Sequence, residues 1–113
     1  MNKLTALVIS PLILSACMAT GLNSDAVNIK VLTREPGANC QLIGDVTGSQ
    51  GNFVTGRYTT DRSLQEGALN DLKNEAARKG GNAVHIIIGG GHNTKGEQTN
   101  VTYTANVYRC SSF

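Results

Sequence analysis

Three cysteines constrain this 113-residue chain more than any other feature. Cys17 closes the run Leu14-Ser15-Ala16-Cys17, which follows one basic residue, Lys3, and an apolar stretch from Leu4 to Leu14. A short positive start, an apolar segment and small residues before a cleavage point mark a secretory signal. A cysteine at the first mature position is the signature of a lipobox, where the thiol is diacylated and the freed amine is usually acylated too. With Cys17 committed to lipid, Cys40 and Cys110 remain, and an even remainder in an exported chain reads as a disulfide. They lie 70 positions apart, so their closure stabilises by about 4 kcal/mol on the loop-entropy account. A redox-active pair lacks support, because no Cys-x-x-Cys spacing is present to lower a thiol pKa.

The apolar run is too short for a membrane helix of about 20 residues, and Ser10, Pro11 and Ser15 interrupt it. No later stretch is apolar over a spanning length. Each buried lipid CH₂ contributes about 0.8 kcal/mol, so two or three chains on Cys17 give a lasting anchor where one gives a reversible one. Met18 stands where inner-membrane retention usually calls for Asp. The expected location is therefore the outer membrane, lipid-anchored, with the domain facing the periplasm. The expected organisation is a signal peptide at 1–16, the lipidated cysteine and a flexible tether at 17–26, and one domain at 27–113. Its formal charge of +2 for the whole chain, with both signs interspersed, offers no basic stripe for nucleic acid.

Val27, Ile29 and Val31 alternate with Asn28 and Lys30, the period of a half-buried strand, and Glu35-Pro36-Gly37 turns it. A second strand is expected over 40–47, with Cys40, Leu42 and Val46 on one face and Gln41, Ile43 and Asp45 on the other. Gly44 permits a bulge or close packing there. Residues 48–62 are rich in Gly, Ser, Thr and Asn and read as a long loop or irregular hairpin. Ser63-Leu64-Gln65-Glu66 fits a capping box, and Leu64, Ala68, Leu72 and Ala76 form an apolar stripe with Leu69 beside it. Asp71, Lys73, Asn74 and Arg78 fall largely on the other side, and Gly80-Gly81 suits the helix exit. Residues 83–88 read as a strand buried on both faces or nearly so, 89–99 as a mobile turn, and 101–110 as a last strand. The order ββαββ gives an α+β fold, a small two-layer sandwich with one amphipathic helix on a mostly antiparallel sheet.

Chemistry is sparse. His85 and His92 are the sole histidines, and two imidazoles without carboxylates at ligand spacing do not define a metal site. Gly89-Gly90-Gly91 followed by Lys95 lacks the Lys-Ser/Thr and helix of a phosphate loop. Ser63 has no nucleophile elbow, and Glu66, Asp71 and Glu75 lie along a helix as solvated charge. No catalytic constellation and no cofactor are expected. Phe53 and Tyr58, aromatics in a Gly-rich loop, are the candidate partner contacts, with completion of the core as their other reading.

The segments Pro36-Gly37-Ala38-Asn39-Cys40-Gln41-Leu42-Ile43-Gly44, residues 68–84 (ALNDLKNEAARKGGNAV) and Tyr108-Arg109-Cys110 resemble the YjeI-like family of small enterobacterial lipoproteins, a domain of unknown function. The resemblance covers essentially the whole mature domain, and it implies that the family's paired cysteines map to Cys40 and Cys110. More distantly, the layout is similar to the outer-membrane lipoprotein sensor of the Rcs envelope-stress pathway. That sensor has further cysteines absent here, so neither its connectivity nor its signalling role carries over. The expected function is that of a lipid-anchored envelope lipoprotein, a non-catalytic module for interaction or for envelope maintenance or stress, with another envelope protein as partner. The alternative is a periplasmic lipoprotein binding a small ligand or a metal through His85 and His92.

Overall fold

The chain forms strand β1 (Lys30–Leu32), strand β2 (Cys40–Gly51), helix α1 (Asp61–Arg78), strand β3 (Ala83–Thr94) and strand β4 (Glu97–Cys110). A computed structural model describes residues 20–51, 60–94 and 97–113, with 91–94 and 97–98 described by their backbone alone. The four strands make one sheet in the order β1-β3-β4-β2. β4 pairs antiparallel with β3 on one side and β2 on the other, while β1 joins β3 in parallel. One helix on a mostly antiparallel sheet is the α+β architecture that the alternating and helical periods imply.

The apolar stripe of α1 sits on one face of this sheet. Leu64, Ala68, Leu72 and Ala76 are fully buried, and Leu72 and Ala76 pack with Ile29, Val46, Val84, Ala105 and Val107. Small residues bring the two layers into backbone contact. A Cβ at Gly48 would lie 2.3 Å from the Leu72 nitrogen and 2.5 Å from the Ala68 oxygen. Helix and sheet therefore meet there at a distance that no side chain permits.

The helix begins one turn earlier than its capping box suggests. Thr60, in extended conformation, is the N-cap, and its Oγ1 accepts from the Ser63 backbone N–H at 3.1 Å. Ser63 thus lies inside the first turn, because Thr60 is the N-cap and its hydroxyl takes the orphan N–H of Ser63 itself. At the other end Gly80, at φ +89, and Gly81 donate to the Ala77 and Ala76 carbonyls at 2.9 and 3.0 Å. This is a Schellman closure, as Gly80-Gly81 leads one to expect.

Two bulges revise the faces read from alternation. The register of β2 shifts between Leu42 and Gly44, so Ile43 is an inserted residue. Cys40 and Leu42 consequently share the outer face, away from α1, whereas Val46 enters the core. The register of β3 shifts likewise between Ile86 and Ile88. Ile87 and Ile88 are 54% and 65% exposed, so this strand is not buried on both faces. It also runs through Gly89-Gly90-Gly91, which pair with Tyr103, Thr102 and Val101 instead of forming a turn. The Tyr103 ring fills the space beside Gly89, where a Cβ would lie 2.7 Å from it, an aromatic covering a strand glycine. Strand β2 similarly reaches Gly51, and β1 starts at Lys30 because a 3-10 turn at Ser24–Ala26 precedes it.

Candidate functional site

Of the residues singled out in the sequence, Cys17, Phe53 and Tyr58 lie outside the described residues. Cys40 and Cys110 face each other across β2 and β4 and are disulfide-bonded. The bond sits with Ala83, Tyr108 and Leu32 in a small apolar cluster on the outer face. Asn82 fixes the Cys110 backbone at two points: its Oδ1 accepts from the Cys110 N–H at 2.7 Å, and its Nδ2 donates to the Cys110 carbonyl at 2.8 Å. One carboxamide thus replaces the two ladder bonds that a further strand would make.

The histidines are not brought together. His85 pairs with Asn106 and His92 with Asn100, which separates them by about 20 Å along the sheet. Among the described residues no three His, Cys, Asp or Glu side chains are grouped so as to hold a metal ion. The exposed Glu75 and Arg78 form an ion pair one turn apart on α1. The Arg78 hydrogen bond holds the Glu75 carboxyl below its usual range, and Glu75 raises the Arg78 guanidinium in return. No catalytic role attaches to this surface pair.

The part of the chain expected to act as a free tether is docked from Thr20 onward. Gln50 on β2 accepts from the Thr20 backbone N–H through Oε1 at 2.8 Å, and Asn70 Nδ2 donates to the Thr20 carbonyl at 3.0 Å. One turn further along α1, Asn74 Nδ2 donates to the Gly21 carbonyl at 3.0 Å while its Oδ1 accepts from the Asn23 N–H at 2.8 Å. Asn74 is only 4% exposed, so water competes little for these bonds. Sequence periodicity placed it among the solvated residues. A signal was nonetheless present: Asn70 and Asn74 recur at i, i+4 beside the apolar stripe, where both share one helix edge.

Two further features are open to partners. Beyond His85, β3 has no neighbouring strand on its β1 side among the described residues, and its exposed Ile87 and Ile88 lie in this stretch. At the disulfide end a shallow cleft of about 370 Å³ is lined by Lys30, Leu32, Arg34, Pro36, Cys40 and Phe113. Lys30 Nζ stands 5.4 Å from the centroid of the Phe113 ring there, within reach of a cation–π attraction.

This arrangement defines a disulfide-closed α+β domain in which one asparagine secures Cys110 and another the docked segment 20–23. The chain belongs to the family described as a domain of unknown function (DUF4156), which matches residues 20–110. It is similar to the uncharacterized protein YjeI of Escherichia coli K12, 35% identical over 85 residues that make up 74% of this chain and 73% of that protein. The same figures hold for YjeI of Escherichia coli O6:H1 and of Shigella flexneri. No solved structure matches the chain. Neither the family description nor these relatives give any sign of catalysis.

Proposed function

We propose that the protein is a lipid-anchored cell-envelope lipoprotein that works as a non-catalytic interaction module. It is held through Cys17 to the outer membrane and faces the periplasm. The disposition of the cysteines is the observation that carries this reading. Two are bonded to each other, a pairing that endures in oxidising compartments and is rare in the cytosol, and the third stands in a lipobox.

The partner is another envelope protein, received as an extended segment along β3. From Ile86 to Thr94 that strand contains no charged residue and no proline, two of the devices that ordinarily blunt a sheet edge, the bulge at Ile87 being another. Main-chain hydrogen bonds supply affinity in strand addition, and side chains such as Ile87 and Ile88 supply selectivity.

Two measurements test this reading. Cys17→Ser moves the protein from the membrane to the soluble envelope fraction; retention on the membrane at the wild-type level refutes the anchor. A photo-crosslinker at Ile88 in intact cells captures a protein that an Ile87→Lys variant no longer captures. Unchanged capture by that variant refutes the edge as the contact, and combining Phe53→Ala with Tyr58→Ala measures the share of the loop aromatics.

A second reading, binding of a small ligand, is favoured by the cleft beside Lys30 and Arg34. Two cations there select an anion and not a metal. Chemical-shift changes confined to Lys30, Arg34 and Phe113 on titration with small carboxylates or phosphates support it, and their absence removes it.

A further inference from the structure

We infer that Asp71 on α1 guards the free edge of β2, and that this guard directs an incoming strand to β3. The inference rests on the strand addition proposed above and names the residue that selects the edge.

The strand order β1-β3-β4-β2 offers an arriving segment the outer side of β1, the outer side of β2, and the part of β3 that β1 does not cover. β1 is three residues long and carries Lys30, the short and charged form that discourages pairing. β3 is open beyond His85 among the described residues, but its register shifts at Ile87 and again between His92 and Asn93. Its regular run there is Ile88 to His92. β2 keeps an unbroken register with β4 from Gly44 to Gly51. By length alone β2 is the better template, eight residues against five, so something else must turn a strand away from it.

In an antiparallel pair, residues whose N–H and carbonyl bond the partner alternate with residues whose groups point away from it. Ser49 lies opposite Thr102, yet its N–H goes to Asp71 Oδ2 at 2.9 Å. It therefore belongs to the outward set, and Thr47 and Asp45 follow at the same alternation. A strand added to β2 would bond these three residues. The helix comes close enough to interfere because Gly48 has no side chain: a Cβ there would lie 2.3 Å from the Leu72 nitrogen. The residue before Leu72 is Asp71, which can thus reach the outward N–H of Ser49. An incoming carbonyl that needs this N–H meets a carboxylate, which only accepts and repels it. Asp45, exposed on the same strand, adds a second negative charge. Toward the disulfide, the Cys40 N–H is taken by the Gly37 carbonyl at 3.2 Å. The β2 edge is thus occupied at both of its ends, whereas β3 carries no charge from Ile86 to Thr94.

The test uses the purified full-length protein with a photo-crosslinking amino acid at Thr47, and the probe strand is the β2 edge of a second copy, because two unguarded edges pair with each other. Wild type should give few covalent dimers. Asp71→Ala should raise their yield several-fold and accelerate hydrogen exchange at the Ser49 amide, with the Val107 amide unchanged as the control for folding. Asp71→Asn keeps an acceptor for the Ser49 N–H and should stay near wild type in both readouts. A dimer yield that does not rise in Asp71→Ala, or that rises equally in Asp71→Asn, overturns the guard. The same photo-crosslinker at Ile88 in intact cells separates the two ideas. Capture at Ile88 without a rise at Thr47 overturns the guard alone; a rise at Thr47 with nothing captured at Ile88 overturns strand addition to β3 and leaves Asp71 as the closure of the β2 edge.

Discussion

Two segments of the chain are held by the same device and backed by different supports. Asn82, just past α1, and Asn74, within it, each use one carboxamide to hold both a backbone N–H and a backbone carbonyl. Around Asn82 the held residue is Cys110, which a covalent bond fixes to Cys40. Around Asn74 the held segment is residues 20–23, and its only further support among the described residues comes from Gln50, Asn70 and the 3-10 turn that follows. The disulfide-closed strands can therefore open only with reduction or global unfolding. The docked segment can open locally, because its bonds are exchanged for water one at a time. The difference assigns permanence to the disulfide-closed strands and reversibility to the docked segment 20–23.

Removing the covalent support is the strongest way to break this contrast. Cys40→Ser with Cys110→Ser frees a loop of 70 residues in the unfolded chain, and the expected loss is about 4 kcal/mol in a denaturant melt. If the loss is under about 1 kcal/mol, Asn82 and the strand ladder suffice and the two segments are alike. Gly48→Ala comes next. Its Cβ would meet the helix backbone at 2.3 Å, so α1 must shift, with a cost of about 3 kcal/mol. Because α1 carries Asn70 and Asn74, that variant should loosen the docked segment while leaving the Cys40–Cys110 region protected from hydrogen exchange.

The core of this design was legible in the sequence and its margins were not. The stripe Leu64, Ala68, Leu72, Ala76 and the alternation Val101, Tyr103, Ala105, Val107 are periodic, and periodicity reports which face is buried. The cysteine count pointed to the disulfide, since reading Cys17 as the lipidated residue leaves one pair. A bulge defeats such a reading because one inserted residue reverses the face of everything before it. Ile43 and Ile87 are of this kind, and neither is a residue type that announces a bulge. Gly89-Gly90-Gly91 read as a turn because glycine weakens strands, whereas the covering ring of Tyr103 comes from another strand. Asn74 looked solvated because its partners are backbone groups, and only its i, i+4 spacing from Asn70 hints at them.

Asn74→Ala sharpens the comparison at smaller scale. It leaves the Gly21 carbonyl and the Asn23 N–H without their partner in a half-buried setting, at a cost of about 2 kcal/mol. Hydrogen exchange at the Thr20 and Asn23 amides should accelerate well beyond the change in global stability. Asn82→Ala should cost a similar amount, yet leave exchange in the neighbouring strands tied to global unfolding, because the disulfide still holds Cys110. Equal local acceleration in both variants would show that the covalent bond does not distinguish the two segments.

Glu75→Gln has the smallest expected effect and tests whether exposed charge contributes to the docked segment at all. Glu75 follows Asn74 on α1 and pairs with Arg78 at the helix terminus. Its carboxyl lies below its usual range, chiefly through the Arg78 hydrogen bond. A lowered folded pKa contributes stability above the unfolded value of about 4.3, and that contribution fades as pH falls through the folded value. Arg78, with its pKa raised, stays charged in both states over this range and adds no pH dependence. The variant should therefore differ slightly from wild type at neutral pH and low salt, and converge with it as pH falls through the lowered folded value. Two effects keep the neutral-pH difference small: solvent screens an exposed pair, and an acid near a helix C-terminus opposes the helix dipole, so its removal returns part of what the ion pair gave. If Glu75→Gln costs as much as Asn74→Ala, surface charge ranks with the buried carboxamide, and salt should then release residues 20–23 as effectively as the asparagine substitution does.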